Sequence, residues 1–150
     1  MTLPKTLLVP TDFSEPAAHA LDYAVGLAAN LGAKIYLLNV IGIPALGIPE
    51  LGVAVTAGTI ETTIRFRQAD LEQLVAGYTP AAIEPMLRTG DAVGVISDVA
   101  REIGADLIIM GTHGRRGVRR ALLGSIAEGV LRTAPCPVLT IREPGQAKAA

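Results

Sequence analysis

The residues best suited to chemistry lie between Leu107 and Ile126, in the segment LIIMGTHGRRGVRRALLGSI. An apolar strand enters a glycine-rich stretch there, and Gly124 and Ser125 then open a helix. Glycines let backbone N–H groups converge on an anion, and a helix N-terminus adds unpaired N–H groups with a partial positive charge. The segment therefore predicts a cradle for a polyphosphate. Its glycines and arginines are Gly111, Gly114, Gly117, Arg115, Arg116, Arg119 and Arg120.

A purely structural strand-to-helix turn is the alternative interpretation of this segment. The chain has no Walker-type phosphate loop and no lysine between Lys34 and Lys148, so arginine and backbone amides must supply the positive potential. Asp12, His113 and Ser125 are the residue types of an acyl-transfer triad, but the G-x-S-x-G sequence of that chemistry is missing around Ser125. Phosphate binding is the preferred interpretation, with Ser125 expected both to cap the helix and to contact phosphate.

Asp12 is the second feature with chemical potential, because it follows an apolar strand and precedes a helix. Its carboxylate could accept bonds from ribose hydroxyls or hold a magnesium ion that bridges phosphates. An aspartate at this place is also a common helix cap, and Ser14 is the other candidate for that role.

Composition excludes several function classes. The 150 residues suit one domain, and 13 basic against 14 acidic residues, with five aromatics, argue against nucleic-acid binding. Cys136 is the single cysteine, which is typical of a reducing compartment, and the N-terminus shows no export signal, so a cytoplasmic protein is expected. Val40 to Ile60 has the length of a membrane span, but its prolines and glycines are typical of a loop.

Strands and helices alternate along the predicted chain, which indicates a parallel α/β sheet covered by helices on both faces. The second predicted helix has an apolar face that includes Ile64 and Leu71. Residues 42–58 are expected to form a loop that is either mobile or closes over adenine or a partner chain, and residues 144–150 a frayed tail. The predicted strands are Lys5–Pro10, Ala33–Val40, Ala82–Arg88, Asp106–Gly111 and Val138–Arg142, and the helices begin near Ser14, Thr59, Asp91 and Ser125 and end near Gly32, Gly77, Gly104 and Thr133.

Gly111-x2-Gly114-x9-Gly124-Ser125 resembles the nucleotide signature of the ATP-binding branch of the universal stress protein family. The stretches LLVPTDFSEPAAHALDYAVGLA, KIYLLNV, GDAVGVISDVAREIGADLIIMGTHG and APCPVLTIR extend the resemblance over nearly the whole chain. The resemblance implies a Rossmann-like fold of the adenine nucleotide alpha hydrolase type, with an open five-stranded parallel sheet in the order 3-2-1-4-5. It also implies a homodimer paired through the last strand, Val138–Arg142.

The function that the resemblance implies is binding of ATP or another adenine nucleotide by a dimeric regulatory module of the stress response. A slow ATPase, a cyclic-AMP binder and a ligand-free scaffold are the alternatives. Asp12 would face ribose or magnesium, and the Val40 backbone would meet adenine. The implied nucleotide contacts are Pro10, Thr11, Asp12, Val40, Met110, Gly111, His113, Gly114, Arg115, Gly124, Ser125 and Ile126.

Overall fold

The structure is a computed structural model of the chain and describes residues 2–42, 57–114 and 123–143. The predicted strands and helices are all found, with ends that coincide or differ by at most two residues. The elements are β1 (Thr6–Pro10), α1 (Glu15–Leu31), β2 (Lys34–Ile41), α2 (Ala57–Ala76), β3 (Ile83–Thr89), α3 (Ala92–Glu102), β4 (Leu107–Gly111), α4 (Ser125–Thr133) and β5 (Val138–Ile141). The predictions for residues 43–56, 115–122 and 144–150 fall outside the described residues.

The strands form one parallel sheet in the order β3-β2-β1-β4-β5, as the resemblance implied. Strand β3 is at one edge, which explains how Pro85 is accommodated, because a proline at a sheet edge can direct its missing donor away from the neighbouring strand. The order of the strands reverses between β1 and β4. Ligands of open α/β sheets bind at this kind of position, beyond the carboxyl ends of the strands.

Two apolar clusters cover the two faces of the sheet. Leu7 and Val9 of β1 face the first cluster, with α1 and Leu71 of α2, while Leu8 faces the second, with α3 and α4. Side chains of a strand alternate between faces, so a fully apolar strand such as β1 is buried on both. The helices therefore cover both faces of the central strands.

Helix ends follow the signals in the sequence. Ser14 is the N-cap of α1, and its side chain accepts a hydrogen bond from the Ala17 N–H at 3.4 Å. Gly32 ends the helix in the left-handed conformation, at φ 61°. Asp91 caps α3 through a 2.9 Å bond from the Gly94 N–H. These caps fix where α1 and α3 start relative to the carboxyl ends of β1 and β3.

Candidate functional site

The crevice is the region between the loop after β1 and the loop after β4, at the position where the order of the strands reverses. The chain leaves β1 toward α1 on one face of the sheet and leaves β4 toward α4 on the other. The two loops thus diverge from neighbouring strands. Residues 11–14 form one wall of the crevice, and residues 111–114, with the start of α4, form the other.

The first wall is a tightly hydrogen-bonded turn. Thr11 is buried, and its N–H donates to the Leu38 carbonyl at 2.8 Å. The Thr11 hydroxyl accepts from the Phe13 N–H at 3.1 Å, and Oδ1 of Asp12 accepts from the Ser14 N–H at 3.0 Å. Since Ser14 is the helix cap, the alternative that Asp12 caps α1 is wrong. The Asp12 carboxylate instead closes the turn with one oxygen.

Phe13 adopts a backbone conformation that is unusual for an aromatic residue, with φ 62°. A non-glycine side chain in this left-handed region costs about 1–2 kcal/mol. The guanidinium of Arg67, on α2, lies 5.5 Å from the centre of the Phe13 ring, which places a cation over the ring face. Strain of this kind persists where surrounding contacts impose it, and here it lies beside Asp12.

The glycines of the second wall are required by space. A Cβ at Gly114 would lie 2.7 Å from Oδ2 of Asp12, and a Cβ at Gly111 would lie 3.0 Å from backbone and side-chain atoms of Pro16. A Cβ at Gly124 would lie 3.0 Å from the Thr112 carbonyl oxygen. Glycine therefore allows the two loops to approach each other closely. The carboxylate of Asp12 and the backbone of residue 114 meet across the crevice.

Helix α4 presents an N-terminus without a side-chain cap to this crevice. Its N-cap is Gly124. The Gly124 N–H donates a 2.6 Å hydrogen bond to the Thr112 carbonyl, which holds the start of the helix against the loop after β4. Ser125 is the first helical residue, so the prediction that its hydroxyl caps the helix is wrong: the cap position has no side chain. Within the described residues, the first N–H groups of α4 have no capping side chain, and they carry the positive end of the helix dipole.

The backbone of Val40 faces the same region from β2. The Leu38 carbonyl accepts a hydrogen bond from Thr11, directly after β1, whereas the Ile41 carbonyl accepts one from Gly90, directly after β3. Peptide groups alternate between the two neighbouring strands, so Val40 directs its N–H and C=O toward β1, as Leu38 does. Because β1 ends at Pro10, these groups face the start of the crevice.

The other expected contacts occupy different positions. Pro10 is half-buried at the end of β1, and the Met110 side chain is buried in the second cluster, which leaves only its backbone for a ligand. Nδ1 of His113 lies 3.1 Å from the Thr112 hydroxyl, and Ile126 is 44% exposed. Arg115 lies outside the described residues, as do the other three arginines of its segment.

Two residues that sequence reasoning missed also shape the site. Thr112 is buried, and it holds Gly124 through its carbonyl and Ile141 of β5 through its N–H at 3.2 Å. Asn39 is 5% exposed and donates from Nδ2 to the Thr11 carbonyl at 2.8 Å. The sequence signal that points to Asn39 is an amide side chain near the end of a largely apolar strand.

The described residues, 2–42, 57–114 and 123–143, contain no helix that is long and apolar enough to cross a membrane. In the same ranges, no group of three or more His, Cys, Asp or Glu side chains is arranged to hold a metal ion.

Comparison with known proteins decides the family. A profile of the Universal stress protein family matches residues 4–142. The chain belongs to this family. Universal stress protein MJ0531 of Methanocaldococcus jannaschii is 31% identical over 141 residues, which cover 93% of this chain and 83% of that protein.

Solved structures of universal stress proteins share the fold. UspA of Lactobacillus plantarum superposes with a TM-score of 0.75 at 28% identity, covering 92% of this chain and 97% of that one. A universal stress protein solved in complex with cAMP superposes with a TM-score of 0.63 at 24% identity, covering 94% of this chain and 98% of that one. The second likeness concerns the fold alone.

Proposed function

We propose that this universal stress protein binds ATP, or a related adenine nucleotide, in the crevice between β1 and β4. It acts as a single-domain, dimeric regulatory module of the cytoplasmic stress response. The observation that carries the proposal is the juxtaposition of Asp12, Gly114 and the uncapped start of α4 at one point of the fold. A carboxylate for ribose or metal and N–H donors for phosphate then face one ligand.

Each part of the nucleotide has a proposed partner. The phosphates lie against Gly114 and the N–H groups of Ser125 and Ile126, where helix N-termini attract anions. The ribose hydroxyls or a magnesium ion contact Asp12, and adenine meets the backbone of Val40. Arg115 adds positive charge beside the phosphates, a role that rests on the family resemblance.

The residues fit a polyphosphate better than a purely structural turn. A turn that only connected β4 to α4 would tolerate a side chain at residue 114, where the backbone does not take a positive φ. The space beside Gly114 is instead limited by a carboxylate from the opposite wall, 2.7 Å from the added Cβ. A helix start without a capping side chain also leaves donors for a ligand.

Hydrolysis by this site is expected to be slow at most. Turnover of ATP needs a positioned water as well as charge stabilisation at the γ-phosphate. The segment from Leu107 to Ile126 contains no glutamine or glutamate to orient a water. Regulation by nucleotide occupancy is therefore proposed in preference to catalysis.

Cyclic AMP is the second candidate ligand, because a universal stress protein of the same fold was solved with it. Its one phosphate would use the start of α4, with adenine and ribose placed as for ATP. The two ligands differ in their need for the whole cradle. A triphosphate engages both Gly114 and the α4 N-terminus, whereas a cyclic monophosphate engages fewer donors.

The proposed dimer uses β5, which is the last strand of the sheet. Pro137 and Ile141 accept hydrogen bonds from the β4 side, so alternate residues of β5 face β4. Thr140 consequently directs its backbone N–H to the open edge. An unpaired edge strand is a template for a second chain, which supports pairing of two copies here.

Isothermal titration calorimetry of nucleotide-stripped protein tests the proposal, with MgATP and cAMP as ligands and Gly114→Val as the control variant. ATP binding that is lost in the variant would support the polyphosphate cradle. Tighter binding of cAMP would favour the second candidate. If neither ligand binds the wild-type protein, the proposed function is wrong and a ligand-free scaffold remains.

A further inference from the structure

We infer that Asn39 is a positioning residue: its buried side-chain amide fixes the Thr11–Asp12 peptide and so sets the Asp12 carboxylate in the crevice. The inference deepens the proposed function and rests on it for the identity of the ligand. Its structural part, restraint of the turn by Asn39, holds for the ligand-free protein and can be measured there.

Asn39 is poorly explained by stability alone. The residue is 5% exposed, and Nδ2 donates to the Thr11 carbonyl 28 residues away, but within the described part of the chain Oδ1 has no hydrogen-bond partner. A buried polar atom without a partner destabilises a protein, whereas an apolar side chain of the same shape avoids that cost. The neighbouring positions that face the same cluster, Ile35 and Leu37, are apolar. This buried amide is therefore better explained by a role in positioning the neighbouring turn.

The single bond from Asn39 completes the restraint of Thr11. The Thr11 N–H is bonded to the Leu38 carbonyl, and its hydroxyl to the Phe13 N–H. Its carbonyl is the group that Asn39 holds. That carbonyl belongs to the peptide unit shared with Asp12, so holding it fixes the plane from which Asp12 departs.

The turn needs this restraint because the next residue is strained. Phe13 has φ 62°, a conformation that an aromatic side chain disfavours, and the turn would relieve that strain by rotating the preceding peptides. Rotation of the Asp12 peptide would move Oδ2 away from Gly114, which it now faces across the crevice. Asn39 opposes that rotation from β2.

Asn39 and Val40 thus join two parts of the site at the end of one strand. The Asn39 side chain projects toward the α1 face and holds the turn of Asp12. The next residue, Val40, directs its backbone to the crevice. A displacement of Asp12 relative to Val40 would change the spacing between the groups proposed for ribose and for adenine.

Amide hydrogen exchange of ligand-free protein tests the restraint. Asn39→Leu should speed exchange of the Phe13 and Ser14 amides by roughly tenfold or more, because their acceptors belong to Thr11 and Asp12. Ile35→Val is the matched control: it alters the buried far end of the same strand and should leave these two amides unchanged. If Asn39→Leu disturbs folding, Asn39→Ala is the second variant, because it removes the same donor without adding atoms.

Asn39→His should restore slow exchange, since an imidazole Nδ1–H can donate from a similar position. Unchanged exchange of both amides in Asn39→Leu and Asn39→Ala would overturn the inference. Equal acceleration in Ile35→Val would do the same, because it would show a general loss of stability.

A double-mutant cycle on MgATP affinity tests whether Asn39 acts through Asp12. Asn39→Leu should weaken binding about tenfold in the wild-type background and less than twofold in the Asp12→Asn background. Equal losses in both backgrounds would overturn the inference. If wild-type protein binds no adenine nucleotide, the proposed function fails, while the exchange experiment still decides whether Asn39 positions the turn.

Discussion

Replacing Gly114 with alanine should separate ligand binding from folding. The added Cβ would lie 2.7 Å from Oδ2 of Asp12 and 3.8 Å from its Cγ. Ordinary van der Waals contact begins near 3.4 Å, so the carboxylate oxygen must withdraw by about 0.7 Å. The displaced atom is the end of a side chain, and Gly114 does not need a positive φ, so stability should change by no more than about 0.5 kcal/mol.

The loss of affinity follows from the bonds that Asp12 is proposed to make. A hydrogen bond to a charged group contributes about 1.5–3 kcal/mol, which corresponds to roughly a 10–150-fold change in Kd. ATP at 100 times the wild-type Kd should stabilise wild-type protein by about 2.7 kcal/mol. A 30-fold weaker variant should gain about 0.9 kcal/mol at the same concentration. For a chain of this size, the shift in Tm should fall from about 5–11 °C to about 2–4 °C.

Differential scanning calorimetry with and without MgATP provides the assay, and Gly26→Ala provides the control. Gly26 lies within α1 and has no atom within 4 Å of an added Cβ, so alanine should raise stability by about 0.5–1 kcal/mol without changing the ATP-induced shift. A full wild-type shift in Gly114→Ala would refute the reasoning. So would an equal reduction in Gly26→Ala.

Three further predictions concern the second wall, the pH dependence and the sheet edge. Gly124→Ala puts a Cβ 3.0 Å from the Thr112 backbone oxygen, so chemical denaturation should show that the variant is about 1–3 kcal/mol less stable. Calorimetry should also show weaker ATP binding by this variant. Unchanged stability would contradict the packing of Gly124 against Thr112. Burial and the hydrogen bond to Asp22 raise the pKa of Tyr78 to about 12. The protonated Tyr78 hydroxyl therefore contributes its full stabilisation below the unfolded-state pKa of about 10, and this stabilisation is lost as pH rises through 12. Urea titrations should therefore show a steeper loss in wild type than in Tyr78→Phe over that range, and parallel curves would count against it. Thr140→Pro removes a donor from the open edge of β5 and should give monomers in light scattering; persistent dimers would place the interface elsewhere.

Most of the fold follows from local signals in the sequence. Apolar runs such as that of β1 mark strands buried on both faces, and Ser14, Gly32 and Asp91 mark helix ends by the chemistry of their side chains. The order of the strands in the sheet does not follow from these local signals, because an alternation of strands and helices is compatible with several orders. The order 3-2-1-4-5 came from the family resemblance.

Periodicity alone misjudged part of α2. Leu71 is fully buried, but Ile64, on the same predicted face, is 37% exposed. An apolar face shows that a helix can pack and leaves open how much of its length a neighbour covers.

Part of the geometry of the candidate site follows from local signals in the sequence. The glycines at 111, 114 and 124 stand where an added Cβ would meet Pro16, Asp12 and Thr112, while their approach to a ligand stays a prediction. The role of Asn39 cannot be read from the sequence, because its hydrogen bond joins β2 to Thr11, which is 28 residues away in the chain and directly follows the neighbouring strand β1. The sequence pattern places the cap of α4 at Ser125, one residue late, because a serine beside a glycine is the stronger capping signal in sequence.

The most direct test of the account is an NMR titration of ¹⁵N-labelled protein with MgATP, with adenosine as the control ligand. We expect MgATP to shift the amides of Gly114, Ser125 and Ile126 saturably, and adenosine to shift Val40 while leaving Ser125 and Ile126 in place. If MgATP binds without moving the amides of Gly114 and the first turn of α4, the phosphates lie elsewhere and the proposed cradle is wrong.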